Sequence, residues 1–83
     1  MKTYKIELTH EANKFLAKRT AKERQKILSQ ISQLPNHRDV KKMKGYQVLY
    51  RLRIGDYRVL YEKLDDKLVI LVVEIGNRGD VYR

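Results

Sequence analysis

The 83 residues of this chain suffice for one compact domain of two packed layers, so residues 1–83 are expected to form a single domain. The chain has no cysteine, which excludes disulfide bonds and thiolate metal sites, and it shows neither a membrane span nor a signal peptide, so we expect a cytoplasmic protein. The formal net charge of +9 favours an anionic partner, either a nucleic acid or an acidic protein.

The first 35 residues of the chain predict one strand and two helices. Apolar and charged residues alternate over residues 4–8, which is typical of a strand with one buried face. Thr9 is placed to cap a first helix, whose inner stripe comprises Ala12, Phe15, Leu16 and Arg19. A capping box, Thr20 to Glu23, begins a second helix that ends at Pro35. Its predicted inner stripe comprises Ile27, Leu28, Ile31 and Leu34.

The remainder predicts an antiparallel meander. Residues 36–44, NHRDVKKMK, have no periodicity and are expected to form a basic loop. Strands are predicted at 46–54, 57–63 and 68–75, and the last is apolar almost throughout, as in a central strand covered on both faces. The fold class is therefore α+β: an N-terminal strand, a two-helix hairpin, then a meander of three to four strands, with the helices packed on one face.

The stretch YRLRIGDYRVLY at residues 50–61 predicts a hairpin with Gly55 and Asp56 in a type II′ turn. This turn pairs Arg53 with Arg58 and places Arg51, Arg53 and Arg58 on the face turned away from the helices. Like charges directly opposite each other cost a few tenths to about 1 kcal/mol, so the cluster favours a functional role. A purely structural role, with arginine stems lying along the sheet, stays open.

A second group of functional candidates lies at the end of the chain, in GNRGDVYR at residues 76–83. If the last strand lies beside the hairpin, Arg78 and Tyr82 approach the hairpin arginines. Convergent guanidinium groups bind phosphate oxygens and a tyrosine ring stacks on a base, so the combination indicates RNA. We expect further RNA contacts from Lys41, Lys42, Lys44 and Arg83.

The blocks YRLRIGDYRVLYE and GNRGDVYR, separated by an apolar strand, resemble the RelE/ParE superfamily of toxins, and within it the RelE branch. The resemblance extends over essentially the whole chain. It implies a toxin of a type II toxin–antitoxin system that cleaves mRNA in the ribosomal A site and thereby inhibits translation. The implied endoribonuclease needs neither metal nor cofactor, because the ribose 2′-hydroxyl attacks the neighbouring phosphate.

The resemblance also implies roles for individual residues. Arg58 resembles the arginine that stabilises charge on the phosphorane, Arg78 the arginine that assists the leaving 5′-oxygen, and Tyr82 the tyrosine that stacks on the mRNA base. Arg51 and Arg53 stand where RelE toxins often carry lysines. Arginine stays protonated, so these two residues are expected to hold the phosphate rather than to act as general base. Lys44 is a weak candidate for the general base.

The implied partners are the ribosome, mRNA and a cognate RelB-like antitoxin, expected to be helical and acidic, with a heterotetramer as one assembly that the resemblance allows. Two other functions stay open. A ParE-like toxin would inhibit DNA gyrase through protein contacts, and a basic RNA-binding module would bind without cleavage. His10 and His37 are isolated, with no metal-binding spacing.

Overall fold

The computed structural model describes residues 3–77, which contain two helices and five strands. In chain order these are β1 (Lys5–Leu8), α1 (His10–Ala17), α2 (Ala21–Ile31), β2 (Val40–Lys42), β3 (Leu49–Ile54), β4 (Tyr57–Leu64) and β5 (Val69–Asn77). The strands form one sheet in the order β1-β5-β4-β3-β2, with β1 parallel to β5 and all other neighbours antiparallel. The predicted α+β class is confirmed. Neither α1 nor α2 is long and apolar enough to cross a membrane.

Each helix is capped by the threonine that the sequence indicates, Thr9 before α1 and Thr20 before α2. The Thr9 hydroxyl accepts a hydrogen bond from the Ala12 amide at 3.2 Å and donates one to the Val73 carbonyl at 2.7 Å, which ties the start of α1 to β5. Thr20 and Glu23 form the predicted capping box. The same carboxylate accepts a hydrogen bond from the Tyr57 hydroxyl at 3.0 Å, which joins α2 to the β3–β4 hairpin.

Among the described residues, both helices pack on one face of the sheet, where the core lies. Its fully buried side chains include Ile27 and Ile31 from α2 and Leu52, Val59, Tyr61, Ile70 and Val72 from the sheet. One predicted core position is wrong, since Leu28 is 38% exposed. Successive helical residues are about 100° apart, so Leu28 lies at the margin of a stripe centred on Ile27 and Ile31.

Two strand predictions need correction. The expected loop at residues 36–44 contains the short strand β2, because Val40 pairs with Leu52 at the sheet edge. Strand β5 lies inside the sheet between β1 and β4, as a central strand does, but the described helices cover only one of its faces and not both. Ile70, Val72 and Ile75 are buried on that face, whereas the apolar residues between them are half-buried on the other.

Candidate nucleic-acid interface

The β3–β4 hairpin has the register that its turn residues predict. Arg53 pairs with Arg58 and Ile54 pairs with Tyr57, leaving Gly55 and Asp56 as a two-residue turn. Gly55 has φ +55° and Asp56 does not have a positive φ, as a type II′ turn requires. The predicted register is confirmed.

This register sets the face on which each arginine lies. Leu52 and Ile54 of β3 and Val59 of β4 are buried against the helices. Side chains alternate along a strand, so Arg51, Arg53 and Arg58 lie on the opposite face, which we call the open face. The Nε atoms of Arg51 and Arg58 are buried, so the stems of these two residues lie along the sheet.

A pocket of about 250 Å³ on the open face brings together residues from three strands and a loop. It is lined by Lys41, Lys42, Met43, Lys44, Arg51 and Arg58. Among residues 3–77, no carboxylate lines it, so its five cationic side chains create a strongly positive site. Arg53 is exposed and does not line this pocket, although it lies beside Arg58.

Strand pairing explains why the pocket forms. Lys41 of β2 is the partner of Arg51 in β3, so the edge strand adds its lysine directly beside the hairpin arginine. On the other side, Arg58 of β4 is the partner of Gly76 in β5. Glycine has no side chain, so residue 76 itself places no side chain beside Arg58 on the open face.

The β2–β3 connection completes the pocket, and the sequence reasoning missed its structure. The Met43 amide donates to the Leu49 carbonyl at 2.9 Å, and the Tyr46 amide donates to the Met43 carbonyl at 3.3 Å. Gly45 has φ +87°, so residues 43–46 form a type II turn with Lys44 before the glycine. The Lys-Gly pair was the available signal for this turn.

Three predicted site residues, Arg78, Tyr82 and Arg83, lie outside the described residues. The last described residue of β5, Asn77, pairs with Tyr57, next to Arg58. The predicted roles of those three residues therefore stay predictions.

The pocket is suited to bind an anion and to stabilise added negative charge. Guanidinium groups donate fixed, charge-assisted hydrogen bonds to phosphate oxygens, and arginine cannot release its proton under ordinary conditions. Among the described residues that line the pocket, the side chains able to take part in proton transfer are those of the lysines, Lys41, Lys42 and Lys44. Among residues 3–77, no three His, Asp or Glu side chains are grouped to hold a metal ion.

A larger hollow of about 450 Å³ lies between α1 and β5 and is a poorer candidate. Its charged lining residues are Glu11, Lys14, Lys18 and Glu74, two acidic and two basic. These charges balance, so this hollow attracts a phosphate far less than the smaller pocket does.

Comparison with known proteins identifies similar sequences. Residues 6–82 match the family model described as the ParE toxin of type II toxin–antitoxin systems, parDE. A curated relative from Methanocaldococcus jannaschii, provisionally named toxin RelE1, is 40% identical over 45 residues. That alignment spans 54% of this chain and 50% of the relative, so it covers about half the length of each.

Solved structures with the same fold cover nearly the whole chain. RelE in the archaeal RelE–RelB complex from Pyrococcus horikoshii is 29% identical, with a TM-score of 0.79 over 94% of this chain and 98% of the other. The Methanococcus jannaschii RelB–RelE antitoxin–toxin complex gives 28% identity and a TM-score of 0.73 over 92% and 94%. The isolated Escherichia coli RelE toxin, 23% identical with a TM-score of 0.76 over 96% and 92%, shares the fold.

Proposed function

We propose that this chain, which belongs to the family of ParE toxins of type II toxin–antitoxin systems, is a RelE-like endoribonuclease that cleaves mRNA in the ribosomal A site. The observation that carries the proposal is the pocket on the open face, where Arg51 and Arg58 meet the lysines of β2 and its following loop. Five cations around one small pocket suit a phosphodiester better than an extended protein surface.

In the proposed reaction, the ribose 2′-oxygen attacks the adjacent phosphorus and the bond to the 5′-oxygen breaks. The products are a 2′,3′-cyclic phosphate and a 5′-hydroxyl end. The 2′-hydroxyl loses one proton and the leaving 5′-oxygen gains one, so the reaction needs no water in this step. Negative charge builds up on the phosphorane oxygens, where the Arg58 guanidinium stabilises it and Arg51 holds the phosphate in line.

The remaining roles follow from the same reaction. Arg53, next to Arg58 but outside the pocket lining, adds positive potential and guides the RNA backbone. Lys41 and Lys42 contact flanking phosphates, and Lys44 accepts the 2′-hydroxyl proton. Arg78 assists the leaving oxygen, Tyr82 stacks on the mRNA base, and Arg83 contacts the backbone.

The proposed partner in the resting cell is a RelB-like antitoxin that is acidic and helical. The archaeal relatives of known structure are RelB–RelE complexes, and a net charge of +9 favours a partner of opposite charge. Such an antitoxin inhibits the toxin if it covers the open face or displaces the RNA from the pocket. A heterotetramer with two copies of each protein is the assembly we propose.

One observation favours a second candidate function. The matching family model carries the ParE name, so inhibition of DNA gyrase by protein contact is the alternative. Brief induction of the toxin in cells separates the two activities. The nuclease arrests translation and leaves messages with new 5′ ends in phase with codons, whereas the gyrase inhibitor blocks replication and damages DNA while messages stay intact.

A further inference from the structure

Tyr46, in the β2–β3 connection, is the only aromatic residue among residues 3–77 that is exposed; the others are half-buried or buried. It is 59% exposed, more than the other exposed large apolar residues among residues 3–77, which are Leu28, Val48 and Leu68. Within that range it makes neither a ring contact nor a side-chain hydrogen bond, whereas each other aromatic side chain makes at least one. Contacts within the described fold therefore do not explain why an aromatic ring is exposed at this position.

The backbone around Tyr46 is nonetheless ordered by hydrogen bonds. Its amide closes the type II turn at Met43, and the Met43 amide in turn bonds to Leu49 at the start of β3. Gly45, with φ +87°, permits the turn. A ring on a fixed turn loses less conformational freedom on binding than a ring on a mobile loop.

The turn lies beside the cationic pocket. Met43 and Lys44, the first two residues of the turn, line the pocket, and Tyr46 is the fourth. Residues 38–46 contain four basic side chains and one acidic side chain. An exposed aromatic ring within a basic segment is the combination that single-stranded nucleic acids bind, since bases stack on the ring while cations hold the phosphates.

We propose that Tyr46 stacks on a nucleobase of the RNA strand whose phosphate binds in the pocket. The inference rests on the proposed nuclease function and adds a contact to it, at the β2–β3 turn. Stacking occurs with any base, so Tyr46 contributes affinity and positions the strand, while the arginines bind the phosphate. Tyr46 is a positioning residue, because the reacting atoms lie at the pocket.

The chain contains no tryptophan, so a Tyr46→Trp variant carries a single indole, whose fluorescence reports on this position. A Val48→Trp variant is the matched control, because Val48 is exposed at 39% in the same connection. Each variant is titrated with a short single-stranded RNA and with a ribose–phosphate oligomer of equal length that lacks bases. We expect RNA, and not the abasic oligomer, to quench the indole fluorescence of Tyr46→Trp, with little change in that of Val48→Trp. Equal responses to the two oligomers, or of the two variants, overturn the proposal.

Variants that remove or keep the ring complete the test. Tyr46→Ala is expected to weaken RNA binding roughly tenfold, and Tyr46→Phe to restore it, because stacking needs the ring and not the hydroxyl. Circular dichroism checks that each variant is folded. If Tyr46→Ala instead weakens only binding of the antitoxin, the ring is a protein contact and the proposal is wrong. The proposed nuclease activity is judged separately, by cleavage with Arg58→Ala, so its failure is distinguishable from failure of the stacking contact.

Discussion

Arg53 and Arg58 lie directly opposite each other across the β3–β4 hairpin, on the face of the sheet away from the helices. Two like charges in this position repel each other and cost the free toxin a few tenths to about 1 kcal/mol. Under the proposed function, a phosphate bound in the pocket beside Arg58 would offset this repulsion. The stability lost through the Arg53–Arg58 pairing would then be regained in part as affinity for an anion.

Replacing Arg53 by glutamine tests this relationship. Arg53→Gln keeps much of the side-chain length but removes one charge, so we expect the free energy of unfolding to rise by a few tenths to about 1 kcal/mol at low salt. Urea unfolding of both proteins measures this difference in the free energy of unfolding. Lys22→Gln, an exposed position in α2, is the control for a general loss of positive charge. A gain no larger than that of the control, or a gain that added salt does not reduce, contradicts the account.

The role of Lys44 is tested by a substitution that keeps its charge. Lys44→Arg retains a cation at the pocket but removes the group able to accept a proton, so we expect cleavage to fall by about 100-fold with little change in RNA binding. Single-turnover cleavage on programmed ribosomes measures the rate. Lys41→Arg is the matched control and should stay close to the parental rate. If Lys44→Arg cleaves normally, Lys44 acts only through its charge.

The hydrogen bonds of Glu23, on the helix side of the protein, predict that the stability of the fold depends on pH. The Thr20 amide, the Tyr57 hydroxyl and the Thr20 hydroxyl lower the pKa of the Glu23 carboxyl below its ordinary value. A lowered pKa in the folded state stabilises the fold above the ordinary carboxyl pKa, and this contribution disappears as the pH falls through the lowered value.

Tyr57→Phe removes one of these donors, so we expect the pKa of Glu23 to rise towards its ordinary value without reaching it, because the Thr20 contacts remain. An NMR titration of the carboxyl carbon measures this shift. Tyr4→Phe, which alters a hydroxyl bonded to Asp65, is the control and should leave Glu23 unchanged. An unchanged Glu23 pKa in Tyr57→Phe would mean that the hydrogen bond has no influence on the carboxylate in solution.

The hairpin turn predicts a loss of stability when a side chain is added at Gly55. With φ +55°, Gly55 occupies the left-handed region, where an L-residue costs about 1–2 kcal/mol. An added Cβ would lie 3.8 Å from the Lys26 Nζ, an ordinary contact, so the cost comes from the backbone. Thermal unfolding should show Gly55→Ala less stable by about that amount and Gly55→Asn less affected, since Asn tolerates positive φ. Equal losses for the two variants would point to a steric clash instead.

The features that could be predicted from the sequence are those that depend on a few neighbouring residues. The two helix starts and the hairpin register follow from short patterns at Thr9, Thr20 and Gly55, and the structure has all three. The pocket itself was beyond this reasoning, because Lys41 and Arg51 come together only through the edge strand β2. That strand has three residues and a single apolar one, Val40, which is too short to show periodicity. The pocket therefore depends on the pairing of β2 with β3, which local sequence patterns do not show.

The most direct test of the central claim is to map the 5′ ends of cellular messages after brief induction of the parental toxin, Arg58→Ala and Lys22→Ala. The account predicts new 5′ ends in phase with codons for the parent and for Lys22→Ala, reduced on the order of 100-fold or more in Arg58→Ala, whose circular dichroism spectrum stays that of the parent. Parental cleavage by folded Arg58→Ala, or intact messages under induction of the parental toxin, would contradict it.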